Sequence, residues 1–337
     1  MINTLIVDDS ELARDIIRDF LEDDGDFNII GEAADGEEGI QKILALNPDL
    51  VTLDIEMPKK NGLEVIEEVM KKVSVPIVVI TSHDSAKTAY EATVRGALEF
   101  YSKDTFSPLL KAEKRKDIYE TLKRISSIKA KKIALNTSAI MAEPDNREIR
   151  AVTIASSTGG PRALAGFLPL LTANFPVPII IVQHNSAGFD QSFAQWLGSF
   201  TDLKVKLAEE AESPKPGTVY IAKTGSHLEL RLNTLQELIF AYNDGEPEHN
   251  QKPAADVLFR TAAESLKRSL VSIVLTGMGR DGADGTVKVS EMGGITISQD
   301  EESSLIYGMP KAAAETGHVD MVLPLEKIPE VLVRLIK

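Results

Sequence analysis

Two sets of side chains in this sequence have the types and spacing to do chemistry. The first is Asp8, Asp9, Asp54, Thr81 and Lys103: three carboxylates, a hydroxyl and an ammonium group. Carboxylates gathered at one place repel one another, and a hard, oxygen-seeking cation such as Mg²⁺ is the usual compensation. One carboxylate left partly free beside that cation can attack phosphorus, while the hydroxyl and the ammonium hold the incoming phosphoryl oxygens. The second set is Ser157, His184 and Asp281: a nucleophile, a base for its proton and an acid to orient the base. Ser157 stands in VTIASSTGGPRAL, residues 152–164. That turn also reads as a phosphate cradle or a plain tight connection, because glycines after a strand permit positive φ and expose N–H groups at a helix start. A cradle calls for a glycine-rich loop closed by Lys-Ser or Lys-Thr, or for glycines in the dinucleotide spacing, and SSTGGPRAL has neither.

The elements that must position these groups are legible as alternation. Over residues 1–103 the β-branched runs INTLIV, FNIIG, DLVTLD, PIVVIT and LEFYS are separated by helical patterns such as ELARDIIRDFLED and GIQKILALN. This predicts a parallel sheet with helices on both faces, where functional groups gather beyond the carboxyl ends of the strands. Asp8 and Asp9 end the first run, Asp54 the third and Thr81 the fourth, and Lys103 follows the fifth. Any one of these alone reads better as a helix cap or a solvated loop residue; all five at successive strand ends do not. Ser10, Asp35 and Asn61 are expected helix N-caps. The second half repeats the style with AVTIAS, VPIIIVQ, TVYIAK, SIVLTG and ITISQ, and with the helical AADVLFRTAAESLKRS. Ser156 and Ser157 alternate in direction along the first of these runs, and Ser157 stands at the turn, which makes it the candidate nucleophile. His184 ends VPIIIVQH and Asp281 follows SIVLTGMGRDG, so serine, histidine and aspartate all lie beyond strand ends of one sheet. A lone histidine at a strand end is more often structural, as His83, His227, His249 and His318 caution; the conjunction carries the weight. The segment Ala155-x-Ser157-x-Gly159 comes within one residue of the hydrolase nucleophile elbow, but the chain order Ser, His, Asp differs from that fold's order. A different fold is expected to reach the same chemistry. The residues by themselves imply a serine hydrolase of unknown substrate.

Length and composition bound the rest. A chain of 337 residues accommodates two cores, and 43% hydrophobic with 26% charged residues is ordinary for soluble globular domains. No apolar run approaches the ~18 residues of a membrane helix, so no membrane insertion is expected. The start MINTLIVDDS lacks the pattern of a secretion signal, and the absence of cysteine excludes disulfides and thiolate metal sites, which fits a cytoplasmic protein. A formal net charge of -14 argues against nucleic acid as a partner. Residues 111–132 oppose the trend, with nine Lys or Arg against three acids, a net of +6 by subtraction, around Ile118, Leu122 and Ile125 at helical spacing. The expected organisation is a domain over 1–126, a linker over 127–148 that includes the turn-rich LNTSAIMAEPDNRE, and a second domain over 149–337.

Taken together, LIVDDS, LVTLDIEMPKKNG, VVITS and FYSKD resemble the receiver domain of two-component response regulators, over about the first 125 residues. The resemblance implies a flavodoxin-like fold and a chemotaxis histidine kinase as partner. It also implies Asp54 as phosphoacceptor, Mg²⁺ held by Asp9, Asp54 and the Glu56 carbonyl with Asp8 acting through water, Thr81 and Lys103 on the phosphoryl group, and Phe100 as the switch aromatic. Asp104 departs from the family, which usually has proline there. In the second half ASSTGGPRAL, VQHNSAGFDQSF, YIAKTGSHLEL, PAADVLF, LTGMGRDG and YGMPKAA appear in the order seen in the catalytic domain of chemotaxis protein-glutamate methylesterases. The fold class implied is α/β, two doubly wound domains with mainly parallel sheets, the second a serine-hydrolase methylesterase domain. The activity implied is phosphorylation-activated hydrolysis of glutamyl methyl esters on methylated chemoreceptors by Ser157, His184 and Asp281, without a cofactor for that step. Deamidation of receptor glutamines stays open. Backbone N–H groups near Thr158 or Met278 are the expected oxyanion donors. Asn185-Ser186 and Gln251-Lys252 depart from the family's common Met-Pro and His-Arg. The rival reading is a response regulator whose second domain is a non-catalytic partner-binding module, and methanol release separates the two. A DNA-binding output has only the basic stretch in its favour and lacks a helix-turn-helix pattern.

Overall fold

The β-branched runs of the first half become the strands of one sheet. In chain order its elements are β1 (Ile2–Val7), α1 (Glu11–Glu22), β2 (Phe27–Ala33), α2 (Gly36–Leu46), β3 (Leu50–Leu53), α3 (Gly62–Met70), β4 (Ile77–Thr81), α4 (Ala86–Arg95), β5 (Glu99–Ser102) and α5 (Ala112–Ser126). The strands pair in parallel in the order β2-β1-β3-β4-β5. Every residue of β3 and β4 is buried, as the continuous apolar runs of a sheet covered on both faces require. The three expected N-caps all accept a backbone hydrogen bond: Ser10 from Ala13, Asp35 from Glu38 and Asn61 from Glu64, the last within a capping box. On α5, Ile118, Leu122 and Ile125 form the buried stripe and leave the basic residues around it, so this part of the basic stretch is an amphipathic helix.

This computed structural model describes residues 1–82, 86–128 and 148–336. Contacts divide the chain into the units Met1–Lys132 and Ile133–Lys337. His83 and nearly all of the expected linker lie outside the described residues.

The second unit runs β6 (Ala151–Ser156), α6 (Gly160–Phe167), β7 (Ile179–Gln183), α7 (Asp190–Gly198), β8 (Lys204–Leu207), β9 (Thr218–Ile221), β10 (His227–Leu232), β11 (Leu238–Asn243), α8 (Ala255–Leu266), β12 (Leu270–Val274), α9 (Ala283–Glu291), β13 (Ile295–Gln299), α10 (Met309–Glu315), β14 (Met321–Leu323) and α11 (Ile328–Leu335). Seven strands form a parallel sheet in the order β14-β13-β12-β6-β7-β9-β8, which leaves β6 near its centre with β12 and β7 on either side. Both large sheets are parallel, as the alternation predicts. The antiparallel hairpin β10–β11 is an addition the strand reading does not contain; its Leu228, Leu230 and Phe240 join the core formed with Leu258, Phe259 and Ala262 of α8.

Candidate functional site

The carboxyl ends of β1, β3, β4 and β5 bring the acidic set together. Asp8, Asp9 and Asp54 each offer a carboxylate oxygen, all within 4.8 Å of one another. Lys103 Nζ lies 2.8 Å from Asp8 Oδ2 and 2.7 Å from Asp54 Oδ2, so the ammonium sits between two buried carboxylates. The remaining oxygens have backbone donors: Asp54 Oδ1 accepts from Ile55 N at 2.7 Å and Asp8 Oδ1 from Ser10 N at 2.9 Å. Burial raises the Asp8 pKa, and the Asp54 charge adds to the rise against the opposing hydrogen bond from Lys103. Burial works against the charged form of Lys103, but the two carboxylates outweigh it and hold its pKa above the ordinary value. Thr81 is fully buried and, among the described residues, its Oγ1 has no hydrogen-bond partner. An oxygen-only ligand set with clustered carboxylates fits Mg²⁺, and an unsatisfied hydroxyl beside it fits an arriving oxyanion. Glu56 is exposed two residues beyond Asp54. Phe100 is buried, with its ring 4.7 Å from that of Tyr90 in an edge-to-face contact.

The serine turn is built by the central strands of the second sheet. Parallel register pairs Ser156 with Gln183, and His184 N donates to Ser156 O at 3.0 Å, so Ser157 and His184 occupy the next level beyond the paired strands. The two serines part ways as strand alternation requires. Ser156 is fully buried and its Oγ donates to Gln183 Oε1 at 2.7 Å, whereas Ser157 is half-buried. Gln183 in turn donates from Nε2 to Ser157 O and His184 O, both at 3.0 Å, and so clamps the ends of both strands. Gly159 has φ +78°, and a Cβ there would lie 2.7 Å from Leu305 Cβ, so the turn into α6 needs a glycine. On the other flank Leu275 N donates to Ala155 O, and the loop after β12 passes directly against the serine: a Cβ on Gly277 would lie 2.8 Å from Ser157 Cβ. The Ser157 N–H is already committed to Thr276 O at 3.1 Å. Of the expected oxyanion positions, Thr158 is buried in the turn and Met278 is half-buried in the loop that touches it.

His184 Nε2 lies 2.8 Å from Asp281 Oδ2, and the two side chains are only 7% and 2% exposed. Asp281 is held at the start of α8, where Oδ2 accepts from Ala255 N at 2.6 Å and Oδ1 from Asp256 N at 2.9 Å. Burial pushes the Asp281 pKa up, but the hydrogen bond and charge of His184 with these two N–H donors bring it below the usual carboxylate range. With Nε2 engaged, His184 Nδ1 is left buried and, among the described residues, without a hydrogen-bond partner. The ring is thus turned opposite to the common arrangement in which the acid holds Nδ1. The sequence reading missed Asp256, the fully buried neighbour of this acid, whose pKa is raised to about 7 by burial and then by the Asp281 charge. Its only sequence signal is an acid in the first turn of a helix, which is commonplace. His227, by contrast, is structural: Nε2 meets Glu246 O at 2.9 Å and Nδ1 accepts from Ala254 N at 3.1 Å.

Comparison with known proteins gives two family matches, a CheB methylesterase model over residues 152–332 and a response regulator receiver domain model over residues 4–113. A Pyrococcus abyssi protein named protein-glutamate methylesterase/protein-glutamine glutaminase is 39% identical over 346 residues, covering 100% of this chain and 94% of that one. A Thermotoga maritima protein of the same name is 36% identical over 341 residues, covering 100% and 99%. The crystal structure of the Thermotoga maritima CheB methylesterase catalytic domain superposes with a TM-score of 0.55 at 43% identity, over 56% of this chain and 100% of that domain.

Proposed function

Since the chain belongs to the CheB methylesterase family and carries a response regulator receiver domain, we propose that it hydrolyses glutamyl methyl esters of chemoreceptors through Ser157, His184 and Asp281. Ser157 Oγ attacks the ester carbonyl while His184 takes the hydroxyl proton. The tetrahedral intermediate expels methoxide, which leaves as methanol with that proton, and water then cleaves the glutamyl-enzyme ester by the reverse use of the same base. Nδ1 is the ring nitrogen free for this proton, because Asp281 holds Nε2. Backbone N–H groups at Thr158 and Met278 face the developing oxyanion in this reading, since that of Ser157 is committed to Thr276. The glutaminase activity in the relatives' names needs the same acyl-enzyme with ammonia as the leaving group.

The observation that carries the proposal is the joint placement of three strand ends: Ser157 after β6, His184 level with it after β7, and Asp281 in the β12 loop, hydrogen-bonded to His184. In the first unit Asp54 receives a phosphoryl group from a chemotaxis histidine kinase, with Lys103 and Thr81 on its oxygens. Asp8, Asp9 and Asp54 with the Glu56 carbonyl are the residues to hold Mg²⁺, which neutralises charge on the transferring group. Among the described residues no helix is long and apolar enough to cross a membrane.

Methanol release from methylated receptor membranes tests the proposal. Release above the receptor-only rate supports it, and binding to receptor without release leaves the second unit a non-catalytic partner module. Within the reaction, Asp281→Asn is expected to lower kcat on the order of 10³- to 10⁴-fold. Both Asp281 oxygens accept from N–H donors, so either orientation of an asparagine amide sets donor against donor. Initial rates of methyl ester hydrolysis at fixed pH read this out, and a loss under 10-fold would remove Asp281 from the triad.

A further inference from the structure

Behind Asp281 lies a second constellation that the hydrolysis does not use. Asp256, the second residue of α8, is fully buried; its Oδ1 accepts from Gly285 N at 2.6 Å, while Oδ2 has no hydrogen-bond partner among the described residues. That oxygen faces His249 Nε2 at 3.1 Å, within ion-pair distance but without hydrogen-bond geometry. His249 Nε2 lies 3.6 Å from Asp284 Oδ2, and the three atoms all fall within 4.8 Å of one another. We propose that His249, Asp256 and Asp284 form a binding site for a divalent transition-metal ion of the Zn²⁺ or Co²⁺ type.

The separations fit such an ion. Tetrahedral bonds of about 2.0–2.1 Å put neighbouring ligand atoms roughly 3.3–3.4 Å apart. The observed 3.1 and 3.6 Å lie on either side of that spacing, so a metal enters with small shifts of the partly exposed His249 and the exposed Asp284. One imidazole nitrogen and two carboxylate oxygens suit zinc or cobalt, whereas Mg²⁺ and Ca²⁺ prefer oxygen alone. The chain also holds the ring in place at a cost. His249 and Asn250 have φ of 50° and 61°, a conformation that non-glycine residues rarely adopt, and Glu248 beside them is held by both terminal nitrogens of Arg260 at 2.9 and 2.6 Å. The ligands come from a loop and from the first turns of α8 and α9, and the first turn of α8 supplies the two N–H donors of Asp281. A bound ion therefore ties that loop to the scaffold of the proposed triad acid, and its double positive charge compensates Asp256 where two buried carboxylates stand one backbone amide apart.

The test uses the full chain, stripped with chelator, and titrates Zn²⁺ by calorimetry and Co²⁺ by visible absorption in the presence of excess Mg²⁺. The excess Mg²⁺ and an Asp54→Asn variant account for the acidic set of the first unit. One equivalent of Zn²⁺ is expected to bind, and Co²⁺ is expected to give the intense visible bands of a low-coordinate site with a nitrogen ligand. His249→Ala and Asp284→Asn, both away from the core, should each weaken Zn²⁺ at least about 10-fold and remove the Co²⁺ bands. Asp54→Asn should change neither signal. Absence of Zn²⁺ binding would reduce the cluster to a plain His249–Asp256 ion pair and overturn the proposal. Binding that survives His249→Ala, or is lost in Asp54→Asn, overturns it equally by assigning the metal elsewhere.

Discussion

Ser157→Ala is expected to lower kcat/KM for methyl ester hydrolysis by about 10⁴- to 10⁶-fold, while Ser156→Ala stays within about 10-fold of the parent. The first figure corresponds to about 5–8 kcal/mol of lost transition-state stabilisation at ~1.36 kcal/mol per decade. It is that large because the covalent route disappears, and His184 and Asp281 then have no proton to move from a nucleophile. What survives is the slower attack of water helped by the oxyanion donors.

The adjacent serine should behave as a structural residue. Ser156 is fully buried and spends its hydroxyl on Gln183 Oε1, and Gln183 holds the carbonyls of Ser157 and His184. Its loss leaves one buried acceptor unpaired, a cost of about 1–3 kcal/mol in stability that a thermal melt will read. The pair of variants therefore separates chemistry from scaffold. Equal rate losses in the two would mean that the turn had been misread.

What was legible in the sequence follows from what parallel sheets do to strand ends. Asp8, Asp54, Thr81 and Lys103 are separated by dozens of residues, yet each ends or follows an apolar run, and parallel pairing alone brings such positions to one edge. The same rule gathers Ser157, His184 and Asp281, and the period of two along β6 separates Ser156 from Ser157. Features set by the third dimension were not legible. The nitrogen of His184 that faces Asp281 depends on the placement of the α8 start, and nothing in the string encodes it. Asp256 reads as an ordinary first-turn acid until the fold seals it behind Asp281. The strand β8 is an edge strand whose KVKL carries the lysines that protect an open edge, so it lacks the apolar run by which its neighbours announce themselves. The hairpin β10–β11 alternates Leu228, Leu230 and Leu232 correctly, but its turn, residues 233–237, contains neither glycine nor proline to mark it.

Phosphorylation of Asp54 should raise hydrolysis roughly 10- to 100-fold, and Asp54→Asn should abolish the response to a small phosphodonor in Mg²⁺ while leaving the basal rate. That range corresponds to a differential of about 1.4–2.7 kcal/mol between two states of the protein, within the usual span of such couplings. The local device is visible. Asp54 already shares Lys103 with Asp8, and a phosphoryl group adds acceptor oxygens beside Thr81, whose buried hydroxyl has no partner among the described residues and gains one by moving toward it. Phe100, in the adjacent strand β5 and packed edge-to-face on Tyr90, is the aromatic expected to change its environment with that movement if it serves as the proposed switch. Thr81→Ala should therefore keep phosphate incorporation and lose most of the activation. How the change reaches the hydrolase is decided by substrate size. A receiver that restrains the hydrolase acts on every substrate, so phosphodonor accelerates a small methyl ester as well as receptor, and a fragment of residues 149–337 exceeds the unphosphorylated intact chain on both. Such restraint is easily maintained, because only the residues between Ser126 and Ala151 separate the last helix of one unit from the first strand of the other, which keeps the effective concentration high. A receiver that instead creates a receptor-docking surface accelerates receptor alone. Restraint is the expected result, and a small-ester rate that is the same in the fragment, the intact chain and the phosphorylated chain would rule it out.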